Sequence, residues 1–370
     1  MIQKCKNNEI YVTDYILFIK ILKLLLTKNA FNIIIKQNGN LPKMVAYMKS
    51  NITILDLARV SGVSKSTISR YLRGESVSKT KAEIIEKAII KTGYIRNNYA
   101  QLLRTSKSNF IGVLVPDIDN PFFTNIIKRL DELAFSDGKT LIIKTTMSQL
   151  DRELEALNFI RGFRVEGIFL CRSELNDKLV EDMNFTIPVI SIDKSFRNLI
   201  SITTNNYRNG YILTKHVFKH TKGEVMFFSR EKESNSVKER IRGYFTYCKE
   251  FNHNIYSYKY NRGLGVDFNH LKNYVINHNI EAVIARNDNE AIKIQSFFND
   301  LYYKNEFPRI RVAGFDNIRL SRNILPRLTT IDQKIEEMCD LAYDKYKNHK
   351  KDKIKTYVQN SELIIRESTL

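Results

Sequence analysis

From Phe110 onward the chain alternates short, unbroken apolar runs with amphipathic segments of roughly 10 to 18 residues, and no other feature narrows the fold so far. The runs at 111–115, 140–144, 167–170, 189–192, 225–228, 282–285 and 310–313 are expected to be strands. Strands that are apolar without a break are buried on both faces, which requires parallel pairing with helical crossovers. The remaining length suffices for two such α/β sheets. Ligands of this architecture bind beyond the carboxyl ends of the strands. Polar and aromatic residues gather at those ends: Asp117, Asn120, Phe122 and Phe123 after the first run, Thr145 and Thr146 after the second, Asp193 after the fourth, then Asn205, Arg240, Asn287, Asp288, Phe315 and Asp316. Rings beside carboxylates and an arginine suit a small polyhydroxylated ligand. Each strand-end Asp or Asn is equally an ordinary turn former.

A different grammar precedes this region. In TILDLARVSGVSKSTISRYLRGESVS, residues 53–78, Thr53 and Asp56 have the spacing of a capping box, and Ile54, Leu57 and Ala58 form an apolar helical face. Gly62 ends that helix, Val63 enters the core, and Ser64 caps a second helix with Ile68 and Leu72 inward. Its other side carries Lys65, Ser66, Ser69, Arg70 and Arg73. Gly74 closes it. Thr80 and Glu83 are expected to form a second capping box, opening a third helix on Ala82, Ile85, Ala88 and Ile89 that stops at Gly93. Any three-helix bundle could share the apolar pattern, but the outward face of Ser, Lys and Arg fits the DNA-reading helix of a helix-turn-helix.

Charge agrees with that reading. The formal net charge is +19, and residues 48–108 hold twelve Lys and Arg against four Asp and Glu. A basic surface binds polyanions by releasing their counterions. In the segment GYIRNNYAQLLRTSKSN, 93–109, Asn97 or Asn98 could cap a short helix through Leu103, too short to stand alone. Formed against its copy on DNA, such a helix would press Leu103 between base steps of the minor groove; a plain linker is the competing reading.

The segment at 15–35 is apolar, but Lys20, Lys23 and Lys28 interrupt it, and no cleavage site follows. A helix lying on a membrane surface is one reading of it. The preferred expectation is that the natural chain starts at Met44 or Met48 and that no membrane is involved. Cys5, Cys171, Cys248 and Cys339 are far apart, which excludes a disulfide framework or zinc site and fits a reducing cytoplasm.

With these segments in place, the chain resembles the LacI/GalR (lactose-repressor) family of bacterial transcriptional regulators from about residue 52 to residue 369. The match is carried by 53–74 and its continuation VSKTKAEIIEKAIIKTGY, then IGVLVPDIDNPFF, ARND, GFDN, LTTIDQ and LIIRES. The resemblance implies an extension over 1–50, a helix-turn-helix domain over 51–97 and a hinge helix over 98–108. It further implies a periplasmic-binding-protein-like core over 109–370, made of two Rossmann-like subdomains, about 109–203 with 334–353 and about 204–332 with 355–370. By position, Lys65, Ser66 and Arg70 match base-contacting residues, and Thr53, Ser64, Thr67 and Ser69 match phosphate-contacting or capping residues. Ala100 and Leu103 match the hinge residues that enter the minor groove. Phe122, Phe123, Thr146, Asp193, Arg240, Asp288 and Asp316 match positions lining the effector cleft. Implied partners are a pseudo-palindromic double-stranded DNA operator, a second copy of the chain in a homodimer, and a sugar or sugar phosphate that releases a repressor of carbohydrate-utilisation genes.

The chain departs from the family pattern at three places. Arg96 stands where proline is usual, Ser229-Arg230-Glu231-Lys232 replaces a Gly-rich loop, and Asn205-Asn206 replaces Asp-Asn. No HExxH, GxSxG, GxxxxGK or GxGxxG is present, so neither an enzyme nor a cofactor is expected. His216 and His220 are four apart but lack a third ligand, and are read as surface residues without a metal. The basic run at 345–355 is read as a solvated loop before the last strand. A solute-binding protein, a regulator answering to a partner protein, and one taking a corepressor such as a purine remain as alternatives.

Overall fold

A computed structural model describes residues 52–72, 74–94, 108–350 and 353–370. The expectations for residues 1–50, Arg73, Arg96, Ala100 and Leu103 therefore fall outside the described residues. The chain divides into two compact units at residue 101.

In the first unit α1 (Ile54–Ser61) starts at the expected capping box. The Thr53 amide donates to Asp56 Oδ2 at 3.0 Å and the Asp56 amide to Thr53 Oγ1 at 3.3 Å. Gly62, at φ +66°, ends α1 with its N–H on the Ala58 carbonyl, a left-handed conformation that favours glycine. Two residues later α2 (Lys65–Leu72) begins, with the Ser64 hydroxyl accepting from the Thr67 amide. The third helix, α3 (Lys79–Thr92), corrects one expectation. It starts with Ser78 at the N-cap and no side-chain cap, so Thr80 and Glu83 lie inside the helix and form no capping box. Leu57, Val63, Ile68, Ile85, Ala88 and Tyr94 close a small core.

The second unit contains two six-stranded sheets. The first is built from β1 (Phe110–Val115), β2 (Thr140–Thr145), β3 (Ile168–Cys171), β4 (Val189–Ile192), β5 (Ile200–Thr204) and β11 (Thr356–Gln359), ordered β11-β5-β4-β3-β1-β2 and parallel throughout. The second is built from β6 (Glu224–Arg230), β7 (Tyr256–Tyr260), β8 (Ile280–Ala285), β9 (Arg311–Phe315), β10 (Thr329–Asp332) and β12 (Glu362–Ile364). Its order is β12-β10-β9-β8-β6-β7, with only the β10–β12 pair antiparallel. The helices that matter for the site are α4 (Pro121–Ser136) and α5 (Leu150–Gly162) on the first sheet, α7 (Asn206–Lys219), α8 (Asn235–Glu250) and α10 (Asp288–Tyr303) on the second, and α11 (Ile335–Asn348), which packs on the first. Between α5 and α7 lies the short α6 (Asp177–Met183), and α9 (Phe268–Asn277) follows β7.

The seven expected strands are all present, and five unexpected ones join them. β2 and β7 are edges, so β2 is only half-buried, and β7 alternates Tyr with Ser and Lys instead of running apolar. β5 and β10 are interior but rich in Ser and Thr, whose hydroxyls find acceptors: Thr330 Oγ1 donates to Asp288, Thr204 Oγ1 to Gln333, and Thr329 Oγ1 to the Arg366 carbonyl. β11 belongs to the first sheet, so the segment just after 355 does not join the second as the resemblance implied. The basic run 345–355 is helical through Asn348, and neither of the strands after it is a free tail.

His216 is a further correction. It is buried, not superficial, because the last residues of the chain fold over α7 and Thr369 Oγ1 sits 2.8 Å from its Nε2. Burial, helped by His220 and Lys219, pushes its pKa down to about 4. Cys171, Cys248 and Cys339 are buried and unbridged. Among the described residues no helix is long and apolar enough to cross a membrane.

Candidate functional site

Two places collect the polar residues singled out by sequence. The first is the outer side of α2. With Ile68 and Thr67 packed inward, the helical turn leaves Ser64, Lys65, Ser66 and Arg70 exposed on one side, with Ser69 half-buried beside them. Thr53 is exposed at the start of α1. Of its two expected roles, phosphate contact or capping, Thr67 is placed for the second: it is 8% exposed and its hydroxyl lies 2.9 Å from Ser64 Oγ, so it braces the start of α2. Ser64 Oγ also lies 3.0 Å from Ser66 Oγ. A rigid helix presenting two cations and two hydroxyls, with its inner side fixed by a core, has the form of a major-groove reader.

The second place is a cleft of about 730 Å³ between the two sheets of the second unit, at the carboxyl ends of β1, β2, β3, β6, β7 and β8. Three helices begin at its wall, each capped by a side chain: Asn120 before α4, Ser234 before α8 and Asn287 before α10. The amide ends of helices carry partial positive charge.

Buried ion pairs make up its floor. Arg172, at the end of β3, donates Nε to Asp193 Oδ2 at 2.7 Å, its Nη2 is paired with the same oxygen at 2.7 Å, and it lies over the Phe123 ring at 4.8 Å. Ser236 on α8 donates to Asp193 Oδ1 at 2.9 Å, a bond from one sheet's half to the other's. Arg286 grips Glu233 through Nε and Nη2 at 2.6 and 2.8 Å. Arg230 joins Glu290 at 3.1 Å and Tyr260 at 2.9 Å. Arg262 reaches to 3.7 Å from Asp117 across the opening. Burial works against the Arg172 charge, but Asp193 and Asp316 outweigh it and hold its pKa above the ordinary arginine value.

Of the sequence candidates, Phe123 lines the cleft and Asp193 forms its floor under Arg172. Arg240 is wholly buried; it donates Nε to Asn206 Oδ1 and Nη1 to the Arg286 carbonyl, both at 2.8 Å, and its Nη2 lies 3.6 Å from Asp316. Burial lowers its pKa, opposed by Asp316 and Asp193. Asp316 takes a hydrogen bond from Gln333 at 2.5 Å and borders a second cavity of about 480 Å³ on the far side. Like Asp193, Arg240 and Asp316, the other three candidates do not line the cleft. Phe122 is in the first sheet's core. Thr146 is buried and does not line the cleft. Asp288 gives both carboxylate oxygens to the fold, one to Thr330 Oγ1 at 2.6 Å and one to the Ile318 amide at 3.0 Å. Burial, reinforced by Asp316, pushes its pKa well above the carboxylate range, so it is a structural acid.

Sequence reasoning passed over Arg172, Glu233 and Ser236. Arg172 was within reach of the same strand-end rule that found Asp193, since only Cys171 separates it from the apolar run at 167–170. Glu233 and Ser236 carried no signal, because their partners lie far off in the chain: Arg286 after β8 for Glu233, and Asp193 after β4 for Ser236.

The comparisons with known proteins match this geometry. Residues 108–299 fit the family of periplasmic binding proteins and sugar binding domain of LacI family, and residues 53–97 fit bacterial regulatory proteins, lacI family. The chain is similar to the sucrose operon repressor of Staphylococcus xylosus, 25% identical over 79% of this chain and 92% of that one. Among solved structures it resembles a periplasmic binding protein/LacI transcriptional regulator from Alkaliphilus metalliredigens complexed with D-xylulofuranose, with TM-score 0.63 and 25% identity, covering 71% of this chain and 99% of that one. It shares the fold of the lac repressor dimer bound to operator and the anti-inducer ONPF, with TM-score 0.73 and 20% identity over 87% and 100% of the two chains. A matched core model that spans more than half of the chain and a matched DNA-binding model just before it have one reading: the chain belongs to the LacI family of bacterial regulatory proteins.

Proposed function

We propose that this protein is a cytoplasmic, sequence-specific transcriptional repressor of carbohydrate-utilisation genes, released from its operator by a small molecule bound between the two sheets of its core. The observation that carries the reading is α2, whose Lys65, Ser66 and Arg70 stand exposed opposite a fully buried Ile68. Lys65, Ser66 and Arg70 read base edges, while Thr53, Ser64 and Ser69 meet phosphates. One such helix reads too few base pairs for specificity, so the chain acts as a homodimer on a pseudo-palindrome. Ala100 and Leu103, outside the described residues, are the residues of this reading that would meet the minor groove of the operator. The cleft of about 730 Å³ holds the effector. Relatives named as a sucrose operon repressor and a regulator complexed with D-xylulofuranose support a sugar-like effector. A recognition role for the cleft is supported by Asp193 and Glu233, both of whose carboxylate oxygens are already engaged by protein donors.

The test is selection of duplexes from a random DNA library by the full chain. Enrichment of a two-fold related sequence, lost in Lys65→Ala and Arg70→Ala, is expected. Recovery of unrelated duplexes only, with binding that depends on salt and not on sequence, would refute it.

A further inference from the structure

Two helices of the core that pack side by side, α7 and α8, stand apart from the others in charge. α7 carries three Lys and Arg and no acid, and α8 carries four against two, whereas α4 is balanced and α5, α10 and α11 are acidic. Helical spacing arranges these cations in two rows. Arg208, Lys215 and Lys219 follow one another at seven and four residues along α7, and Lys238, Arg242 and Lys249 at four and seven along α8. Each row therefore keeps to one side of its helix over about 16 Å. All six side chains are exposed. The two acids of the pair are already engaged, Glu239 with Arg242 at 2.7 Å and Glu250 with the Tyr211 hydroxyl at 2.8 Å. The other five cations of the rows form no ion pair among the described residues. Lys215 with Lys219, and Lys238 with Arg242, are like charges four residues apart, which weakens a helix unless an anion lies over them. A seam of rings runs between the rows. Tyr207, Tyr211 and Phe218 are half-buried on the side of α7 that meets α8: Arg242 sits over Tyr207 at 4.6 Å, Tyr211 meets Tyr247 at 5.3 Å, and Phe218 stacks on His253 at 3.9 Å. Phe251, just past α8 and 49% exposed, packs on Tyr247 and extends the seam.

We infer that the α7–α8 face docks an acidic amphipathic helix of a partner protein, with its apolar ridge on the ring seam and its carboxylates on the two rows of cations. Partly exposed rings supply the anchor of such a contact, and charges around them set its partner and orientation. A nucleic acid is a poorer fit, because bases stack on open ring faces, and those of Tyr207 and Phe218 are covered by Arg242 and His253. None of these residues belongs to the cleft or to α2, so the inference stands whatever the cleft holds.

Fluorescence anisotropy of a labelled synthetic peptide of about 18 residues, with leucine along one face of a helix and glutamate on its flanks, titrated with the full chain, tests it. The peptide is expected to bind, and to bind about tenfold or more weakly to Lys215→Glu with Lys219→Glu, which sets like charges across the contact. Both positions are exposed, and an unchanged thermal transition shows that this variant is folded. Lys215→Arg with Lys219→Arg is expected to retain the peptide, and so is Lys65→Ala with Arg70→Ala, which disables the DNA reader alone. A peptide with glutamine in place of glutamate, and one with the same residues scrambled, are each expected to bind weakly. Undiminished binding to the charge-reversed variant, a scrambled peptide held as tightly as the amphipathic one, or no binding of the peptide would overturn the inference. Oligothymidylate held more tightly than the peptide, and released by the same charge reversal, would overturn it in favour of a nucleic acid.

Discussion

Arg172, Asp193 and Asp316 sit at the ends of three different strands with φ of +49°, +63° and +112°. Non-glycine residues pay on the order of 1–3 kcal/mol for such backbones, and keep them only where the surroundings fix them. At all three positions the side chain is buried and ion-paired, Arg172 with Asp193 and Asp316 with Arg240. His216 makes a different kind of statement. Its pKa is about 4 folded against 6.5 for an unperturbed histidine, so folding favours the neutral ring. That stabilisation is complete above pH 6.5 and is lost as pH falls towards 4. Unfolding by denaturant at pH 7 and pH 5 is expected to show a loss of about 2 kcal/mol attributable to this residue. In His216→Asn the slope between the two pH values is expected to shrink by that amount, and an unchanged slope would contradict the burial of the neutral ring.

Helices α7 and α8 set the position of Arg240 through their close approach. A Cβ on Gly210 would lie 2.1 Å from the Arg240 carbonyl oxygen, and one on Gly243 would lie 2.2 Å from the Tyr207 carbonyl oxygen. Backbone faces backbone, so no rotamer relieves the clash. Gly210→Ala is expected to destabilise by about 1–3 kcal/mol despite alanine's better helix propensity. Gly162→Ala at the end of α5, where a Cβ meets nothing within 4 Å, is expected to be neutral or stabilising. Midpoints of urea unfolding for the two variants decide it. In α1 and α2 almost every local device was readable beforehand, because capping boxes, glycine stops and apolar spacing are local physics. The failure at Thr80 and Glu83 came from the same locality: Ser78, Thr80 and Glu83 compete as starts, and the chain entered α3 one residue before Thr80.

For the whole molecule, function depends on a coupling between a cleft and a DNA reader. On the proposed function, effector binding would have to bias operator affinity, and a coupling of a few kcal/mol is sufficient. Leu103→Ala is expected to weaken operator binding by about tenfold or more, the order of a wedge between base steps, while non-specific DNA binding changes little. Titration of both duplexes in one salt buffer checks this, and equal losses on the two would remove the wedge. The apolar runs dictated parallel sheets, and the Ser, Lys and Arg side of α2 dictated its outward face, because period and burial are properties of neighbouring residues. Strands β5 and β10 were hidden by hydroxyls that become acceptable inside only when acceptors such as Asp288 and Gln333 arrive from elsewhere in the chain. Likewise, sequence located Asp193, Asp288 and Asp316 at strand ends but could not assign their fates. Tertiary structure alone put Arg172 and Ser236 on the first, Thr330 and Ile318 on the second, and Gln333 on the third, since a carboxylate's role follows from the donors around it, and these come from segments far apart in the chain.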